Sequence, residues 1–218
     1  MADGGATPCI YVLAGTNGAG KSSIAGAMFE QAGGAYFNPD DAARLIRSRH
    51  PAISQAEANG AAWEQGRRLL ERAITEWLSF AFETTLGGRT ITALLEQALG
   101  AGGEVRIWYV GLSTPELHLA RVRARVARGG HDIPEAQIRT RYDASRLNLI
   151  RMLPRLTELR VYDNSAEADP HTAATPEPRL LLHMVRGSLV RSGVMAETPE
   201  WAKPILAAAL RSAAVRSP

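Results

Sequence analysis

Apolar and polar positions alternate along the chain in a pattern that predicts strands followed by helices. Short apolar runs of strand length occur at Cys9–Ala14, Ser79–Phe82, Val105–Val110 and Leu159–Tyr162. Between them lie longer segments in which apolar residues recur every three or four positions, the spacing of one helix face. Strands that alternate with helices predict an α/β fold, in which a parallel sheet carries helices on both faces.

Residues that start or stop helices mark the boundaries of the helical segments. Thr114 suits an N-cap with Pro115 in the first turn, and Gly129-Gly130 ends that helix. A short strand is predicted at Ala35–Asn38 before Pro39. The remaining helices are predicted at Ser23–Gln31, Ser54–Trp77 and Thr90–Leu99 and from Pro39, Pro134 and Thr198 onward.

The length and the later part of the chain indicate one domain with additions. At 218 residues, positions 1–218 are expected to form a single domain. A helical hairpin is expected at about 121–153. A small C-terminal appendage is expected at about 179–218, with a β-hairpin at Leu180–Val185 and Ser188–Val190 and then a last helix.

Composition excludes several classes of protein. A single cysteine, Cys9, cannot form an internal disulfide, and no Cys/His spacing suggests zinc. The first residues lack the basic and apolar regions of a signal peptide, and no apolar run is long enough to span a membrane. We therefore expect a cytoplasmic protein with no membrane partner.

Gly15 to Ser22 carries the strongest chemical signal. Its spacing, G-x-x-x-x-G-K-[ST], is that of a phosphate-binding loop (P-loop), and it lies between the predicted first strand and first helix. Glycines let backbone N–H groups turn toward phosphate oxygens, and the helix N-terminus adds unpaired donors. Lys21 suits the phosphates of ATP, and the Ser22 hydroxyl suits Mg²⁺. The predicted ATP-binding residues are Gly15, Thr16, Asn17, Gly18, Ala19, Gly20, Lys21, Ser22 and Ser23.

Polar residues that follow other predicted strands should gather beside this loop. They occur at 38–41, 83–85 and 163–165, and the carboxyl ends of parallel strands share one edge of a sheet. Asp40 is the candidate general base, which would take the proton of an attacking hydroxyl. The alternative is that Asp40 and Asp41 only complement the helix dipole.

The segment after the second apolar run supplies the predicted substrate-binding residues. Glu83 ends an otherwise apolar stretch, so it is expected to bind the acceptor's hydroxyls or to support Mg²⁺. Thr84 and Thr85 would add hydroxyl contacts. The alternative, a solvated strand end, fits the buried surroundings less well.

Arginine concentrates between residues 121 and 155, where nine arginines stand against three carboxylates. A helix, a Gly-Gly turn and a second helix there predict a basic lid that closes over phosphates. Guanidinium groups match phosphate oxygens. His131 beside the turn is either a substrate contact or a structural residue. A nucleic-acid-binding face is the alternative, but Tyr142 lies on the apolar stripe and no aromatic residues are interleaved.

Several motifs together resemble the zeta toxin family of P-loop kinases. They are GTNGAGKSS (15–23), FNPDDAA (37–43), FETTLGG (82–88), ARVARGGHDIPEAQIRTRYDASRLNL (124–149) and VYDNS (161–165). The resemblance runs from about Cys9 to Trp201 and implies an adenylate-kinase-like core. By motif position it implies the following roles: Asp40 as catalytic base, Lys21 as loop lysine, Arg128 and Arg141 as phosphate-directed arginines, and Glu83 as a substrate-side carboxylate.

The resemblance also implies an activity. Characterised members use ATP and Mg²⁺ to phosphorylate the 3′-hydroxyl of the amino sugar in UDP-N-acetylglucosamine. The second motif, Asn-Pro-Asp-Asp, is typical of the short branch of the family, and no antitoxin domain is visible. A separate antitoxin is therefore one expected partner, and a kinase of another small molecule without toxicity is an alternative. An RNA-binding switch ATPase and a non-enzymatic partner protein are further alternatives, although we expect no nucleic-acid partner.

Overall fold

The structure is a computed structural model and describes residues 7–33, 36–166 and 176–216. Within these residues the chain alternates strands and helices as the apolar pattern predicts. The strands are β1 (Cys9–Ala14), β2 (Phe80–Thr84), β3 (Glu104–Gly111), β4 (Glu158–Asp163), β5 (Arg179–Val185) and β6 (Ser188–Ser192). The α-helices are α1 (Ser22–Gln31), α2 (Pro39–Arg49), α3 (Gln55–Thr75), α4 (Arg89–Gly100), α5 (Pro115–Val126), α6 (Glu135–Met152) and α7 (Lys203–Arg216).

One six-stranded sheet organises the fold, in the order β2-β1-β3-β4-β5-β6. The first four strands run parallel, and β5 and β6 add an antiparallel hairpin at one edge. The predicted α/β fold and C-terminal hairpin are therefore confirmed. Because β1 lies between β2 and β3, its carboxyl end opens at a switch point of the sheet, where ligands of such folds bind.

Apolar side chains cover the two faces of the sheet unequally. One face packs against α3, α4, α6 and α7 in the larger core. The other face packs against α1 around Leu13, Met28, Phe29 and Trp108. Helices α3, α4, α6 and α7 therefore support the first face of the sheet. The loop that follows β1 leads directly into α1 on the other face.

Two predicted elements differ from the structure. The predicted strand at 35–38 is reduced to a single bridge between Phe37 and Phe82, because Asn38 and Pro39 already begin α2; Ala35 lies outside the described residues. The last helix begins at Lys203 rather than Thr198, because residues 199–202 form a turn. The single domain over 1–218 stays a prediction, and its ends lie outside the described residues. The bounds of the lid, about 121–153, and of the appendage, about 179–218, also stay predictions.

Helices α2 and α3 pack as a pair, and the polar N-terminus of α2 lies at the edge of the sheet. Small buried residues, Ala43, Ala58 and Ala62, form the contact between the two helices. Ser54 starts α3 with a reciprocal capping arrangement to Glu57. None of the helices in the described part of the chain is long and apolar enough to cross a membrane.

Candidate active site

The turn after β1 has the backbone shape of a phosphate cradle. Gly15, Gly18 and Gly20 all have positive φ angles, at 144°, 83° and 80°. A Cβ atom on Gly15 would lie 2.2 Å from the Val110 carbonyl oxygen, and one on Gly20 would lie 2.3 Å from the Asn164 amide. Glycine is therefore required at both positions by conformation and by close approach.

Three distant side chains hold the loop by its second and fourth variable residues. The ring Nδ1–H of His118 donates to the Asn17 carbonyl oxygen at 2.8 Å. Arg141 donates to the Asn17 side-chain oxygen at 2.9 Å, and Asn164 donates to the Ala19 carbonyl at 2.9 Å. Protein groups alone thus hold the loop in place. Asn164 lies beside the loop as the strand-end argument predicted.

His118 is a supporting residue that the sequence analysis missed. It is fully buried on α5, and its ring meets Tyr142 edge-on. Burial lowers its pKa to about 4, so the ring is neutral near pH 7 and its Nδ1 carries the donated hydrogen. The available signal was a histidine on the same helix face as Val122 and Leu119.

Lys21 lies folded back on the loop. Its buried ammonium donates to the Gly15 carbonyl at 2.8 Å and lies 3.3 Å from a carboxylate oxygen of Glu83. Ser22 follows as the exposed first residue of α1, and the Ser23 hydroxyl donates to the Gly20 carbonyl at 2.6 Å. Ser22 is thus accessible at the helix N-terminus, while Ser23 supports the turn.

The three residues after Phe82 lie against the loop and the lid. Glu83 contacts Lys21 through one oxygen and the Asn38 amide, at 3.5 Å, through the other. The hydroxyls of Thr84 and Thr85 accept backbone N–H groups of the following turn, at 3.2 and 3.5 Å. Their hydroxyls are therefore engaged in shaping that turn, and their role toward substrate stays a prediction.

Asp40 faces the lid rather than the loop. Its carboxylate lies 3.8 Å from Arg125 and 3.6 Å from the His131 ring. The Arg125 guanidinium also donates to the His131 carbonyl at 3.0 Å, so both side chains approach from one folded turn. Arg128 does not join them, because it is exposed in the turn after α5 and donates to the Ala124 carbonyl near the end of that helix. Arg125 is therefore the arginine that lies beside Asp40, and the phosphate-directed role that the family resemblance implies for Arg128 stays a prediction.

Arg141 is a cation that no carboxylate neutralises in the contacts seen for it. Its guanidinium donates to Asn17, and burial lowers its pKa. A partly desolvated cation against a cradle of N–H groups is an anion receptor, so the residues present fit a nucleoside triphosphate.

A magnesium ion would depend on the nucleotide and Ser22 rather than on a carboxylate cage. The described residues contain no group of three or more His, Cys, Asp or Glu side chains that could hold a metal. Mg²⁺ in phosphoryl-transfer sites is commonly bound by one or two protein groups together with substrate phosphates. The exposed Ser22 hydroxyl beside the loop fits that arrangement.

Known proteins share both the sequence and the architecture. The family model described as zeta toxin matches residues 2–173. An uncharacterized protein of Haemophilus influenzae Rd is 33% identical over 131 residues, which cover 59% of this chain and 88% of that protein.

Two solved complexes share the fold at low sequence identity. A chain of the AvrRxo1-ORF1:ORF2 complex crystallised with ATP has a TM-score of 0.63 at 17% identity. The match covers 92% of this chain but spans only 63% of the length of that one. The PezAT chromosomal toxin–antitoxin system of Streptococcus pneumoniae gives a TM-score of 0.54 at 18% identity, over 72% of this chain and 68% of that chain.

Proposed function

Because the chain belongs to the zeta toxin family, we propose that it is an ATP-dependent kinase that phosphorylates a hydroxyl group of a small acceptor. Family membership supports the coarser statement, a nucleotide-dependent phosphotransferase. One observation carries the finer one: the phosphate loop and Asp40 are joined across the sheet edge by Lys21, Glu83 and Asn38. A site that only bound nucleotide would not need a carboxylate connected to the loop through these contacts.

The donor side of the reaction rests on the loop and two cations. Backbone N–H groups of 15–22 would surround the phosphates, with Lys21 turning from Gly15 toward them. Arg141 would meet the same phosphates from α6. Mg²⁺ would be held by the Ser22 hydroxyl together with the nucleotide, and it would neutralise charge that develops on the transferred group.

The acceptor side depends on Asp40 at the start of α2. Its carboxylate would take the proton of the acceptor hydroxyl as that oxygen forms a bond to the terminal phosphorus and the bond from phosphorus to ADP breaks. Arg125 would then face both the carboxylate and the transferred group when the lid closes. Glu83 would orient the acceptor from the other side once Lys21 turns to the phosphates.

The leading acceptor is the 3′-hydroxyl of the amino sugar in UDP-N-acetylglucosamine, as the family resemblance implies. A kinase of another small molecule is the alternative within the same chemistry. We further propose a cytoplasmic location, where ATP is available, and a separate antitoxin partner. The second of these is supported by the presence of an antitoxin in the PezAT system.

A panel of nucleotide sugars and free sugars tests the proposal directly. The purified protein is incubated with ATP, Mg²⁺ and each acceptor, and products are identified by mass spectrometry. A gain of one phosphate on UDP-N-acetylglucosamine that is absent with Lys21→Ala supports the proposal. Lys203→Ala is the matched control, because Lys203 pairs with Glu200 away from the loop. Absence of a phosphorylated product from every acceptor would contradict it.

A further inference from the structure

The side-chain amide of Asn38 contacts Asp40 through its oxygen and Glu83 through its nitrogen. Its Oδ1 accepts the backbone N–H of Asp40 at 2.8 Å, and this contact caps α2. Because a carbonyl oxygen must face that N–H, the amide nitrogen has to point the other way, where it donates to Glu83 Oε2 at 3.5 Å. These two hydrogen bonds therefore fix which end of the Asn38 amide faces Asp40 and which end faces Glu83.

The backbone around Asn38 is anchored to the same strand that carries Glu83. Phe37 N–H donates to the Ala81 carbonyl at 2.8 Å, and Glu83 N–H donates to the Phe37 carbonyl at 2.9 Å. The Phe37 ring packs against Gly66 of α3, where an added Cβ would lie 2.6 Å from the ring. Asn38 thus cannot drift away from Glu83 without breaking a strand bridge and a helix contact.

Glu83 is the other link in this chain of contacts. It lies 3.3 Å from the Lys21 ammonium, which in a nucleotide-bound P-loop turns to the phosphates. When Lys21 leaves, the Asn38 amide is the remaining donor seen on this carboxylate. The contact between Asn38 and Glu83 should then shorten, because a partly buried carboxylate that loses one donor gains more from the donor that remains.

We propose that Asn38 is a positioning residue that transmits nucleotide binding at Lys21 to the N-terminus of α2, and so orients Asp40. This inference rests on the proposed kinase function, because orienting Asp40 serves transfer to an acceptor. The contacts themselves involve no acceptor. Nucleotide would tighten the contact between Glu83 and Asn38. The tighter contact would fix the first turn of α2 and aim the Asp40 carboxylate before the acceptor enters.

Two substitutions separate the two ends of the amide. Asn38→Ser keeps an oxygen that can cap α2 but removes the donor to Glu83. Asn38→Ala removes both. Ser54→Ala is the matched control, because it removes the cap of α3, which is not connected to Glu83 in the contacts described.

Hydrogen exchange at the Asp40 and Asp41 amides gives a readout that needs no acceptor. In the unsubstituted protein, a non-hydrolysable ATP analogue with Mg²⁺ should slow exchange of these amides severalfold. In Asn38→Ser the nucleotide should still bind, at most severalfold more weakly because coupling is reciprocal, but leave exchange unaltered. Asn38→Ala should exchange fast with and without nucleotide, and Ser54→Ala should respond as the unsubstituted protein does. An equal nucleotide response in Asn38→Ser, or no response in the unsubstituted protein, would overturn the proposal.

Kinetics with a phosphorylated acceptor provide the second readout. Asn38→Ser should lower kcat about tenfold with little change in the KM for ATP. If no acceptor is found, the proposed function fails while the exchange measurement still decides the role of Asn38. If transfer occurs at an unchanged kcat in Asn38→Ser, the positioning role fails and the kinase function stands.

Discussion

The proposed nucleotide side of this site is held by shorter and more buried contacts than the proposed acceptor side. The loop is held by His118, Arg141 and Asn164 at 2.8–2.9 Å, and its lysine is buried. Asp40 is 44% exposed and meets the lid only at 3.6 and 3.8 Å. This contrast indicates that the proposed donor half is preorganised, whereas the proposed acceptor half would be completed by the acceptor that binds beside Asp40.

The sharpest way to test this contrast is to remove the carboxylate of Asp40. Asp40→Asn should lower transfer by roughly 10²–10⁴-fold, the usual contribution of a general base, while ATP-analogue affinity stays the same. Asp41→Asn should have little effect, because Asp41 is exposed and pairs with Arg44 one turn further on. Transfer rates and titration calorimetry of both variants provide the measurement. Equal losses in the two variants would mean that only the charge at the start of α2 matters.

A second test distinguishes the two candidate lid arginines. Arg125→Gln should lower kcat by roughly 10²-fold, because it removes the cation that faces Asp40. Arg128→Gln should change kcat less than about threefold, since an exposed side chain bonded to the end of the preceding helix adds little. Steady-state kinetics at saturating ATP give the comparison. The reverse order would support the phosphate-directed role that the family resemblance implies for Arg128.

The buried His118 that holds the phosphate loop predicts that the free energy of unfolding depends on pH. Because the fold lowers the pKa of His118 to about 4, the unfolded chain takes up a proton between pH 6.5 and 4 that the folded protein does not. The free energy of unfolding should therefore fall with decreasing pH in that window, by up to about 3 kcal/mol. His118→Asn keeps a donor near the Asn17 carbonyl without the titration. Urea unfolding from pH 7 to 4 should show a smaller pH dependence in the variant, and an unchanged slope would contradict a buried neutral ring.

The smallest expected effect comes from two glycines of one helix. Gly66→Ala should destabilise the protein by roughly 1–3 kcal/mol, because the new methyl group meets the Phe37 ring. Gly60→Ala should stabilise it by about 0.5–1 kcal/mol, since a Cβ there meets nothing within 4 Å. Thermal unfolding measures both. If Gly66→Ala also raises the KM for the acceptor but not for ATP, the packing beneath Asn38 shapes only the acceptor half.

The sequence predicted the donor half more fully than the acceptor half, for a physical reason. A phosphate cradle is made by consecutive backbone groups, so its residues lie together in the chain at Gly15–Ser22. The strand β1 before it was predicted with its observed bounds. Parallel-strand topology also explains why Asn164 could be expected near the loop.

The contacts of the acceptor half come from segments that no local pattern connects. Whether Arg125 or Arg128 faces Asp40 depends on how the turn around Gly130 folds, since a Cβ at Gly130 would lie 2.6 Å from the Arg125 side chain. Several arginines at helical spacing cannot be ranked by sequence alone. His118 was missed because a buried histidine has the same helix position as an apolar core residue.

Trp201 lies late in the chain but packs against residues that adjoin the phosphate loop, which lies early in it. Its ring lies where a Cβ on Gly111 would be only 2.4 Å away, and its indole N–H donates to Asp163, the neighbour of Asn164. The stretch matched by the family model ends at residue 173, before this ring. At the usual rate of synthesis, Trp201 leaves the ribosome on the order of 10 s after the phosphate loop. The loop is therefore translated first but gains its underlying support late, so a nascent chain should acquire firm nucleotide binding only after Trp201 has emerged.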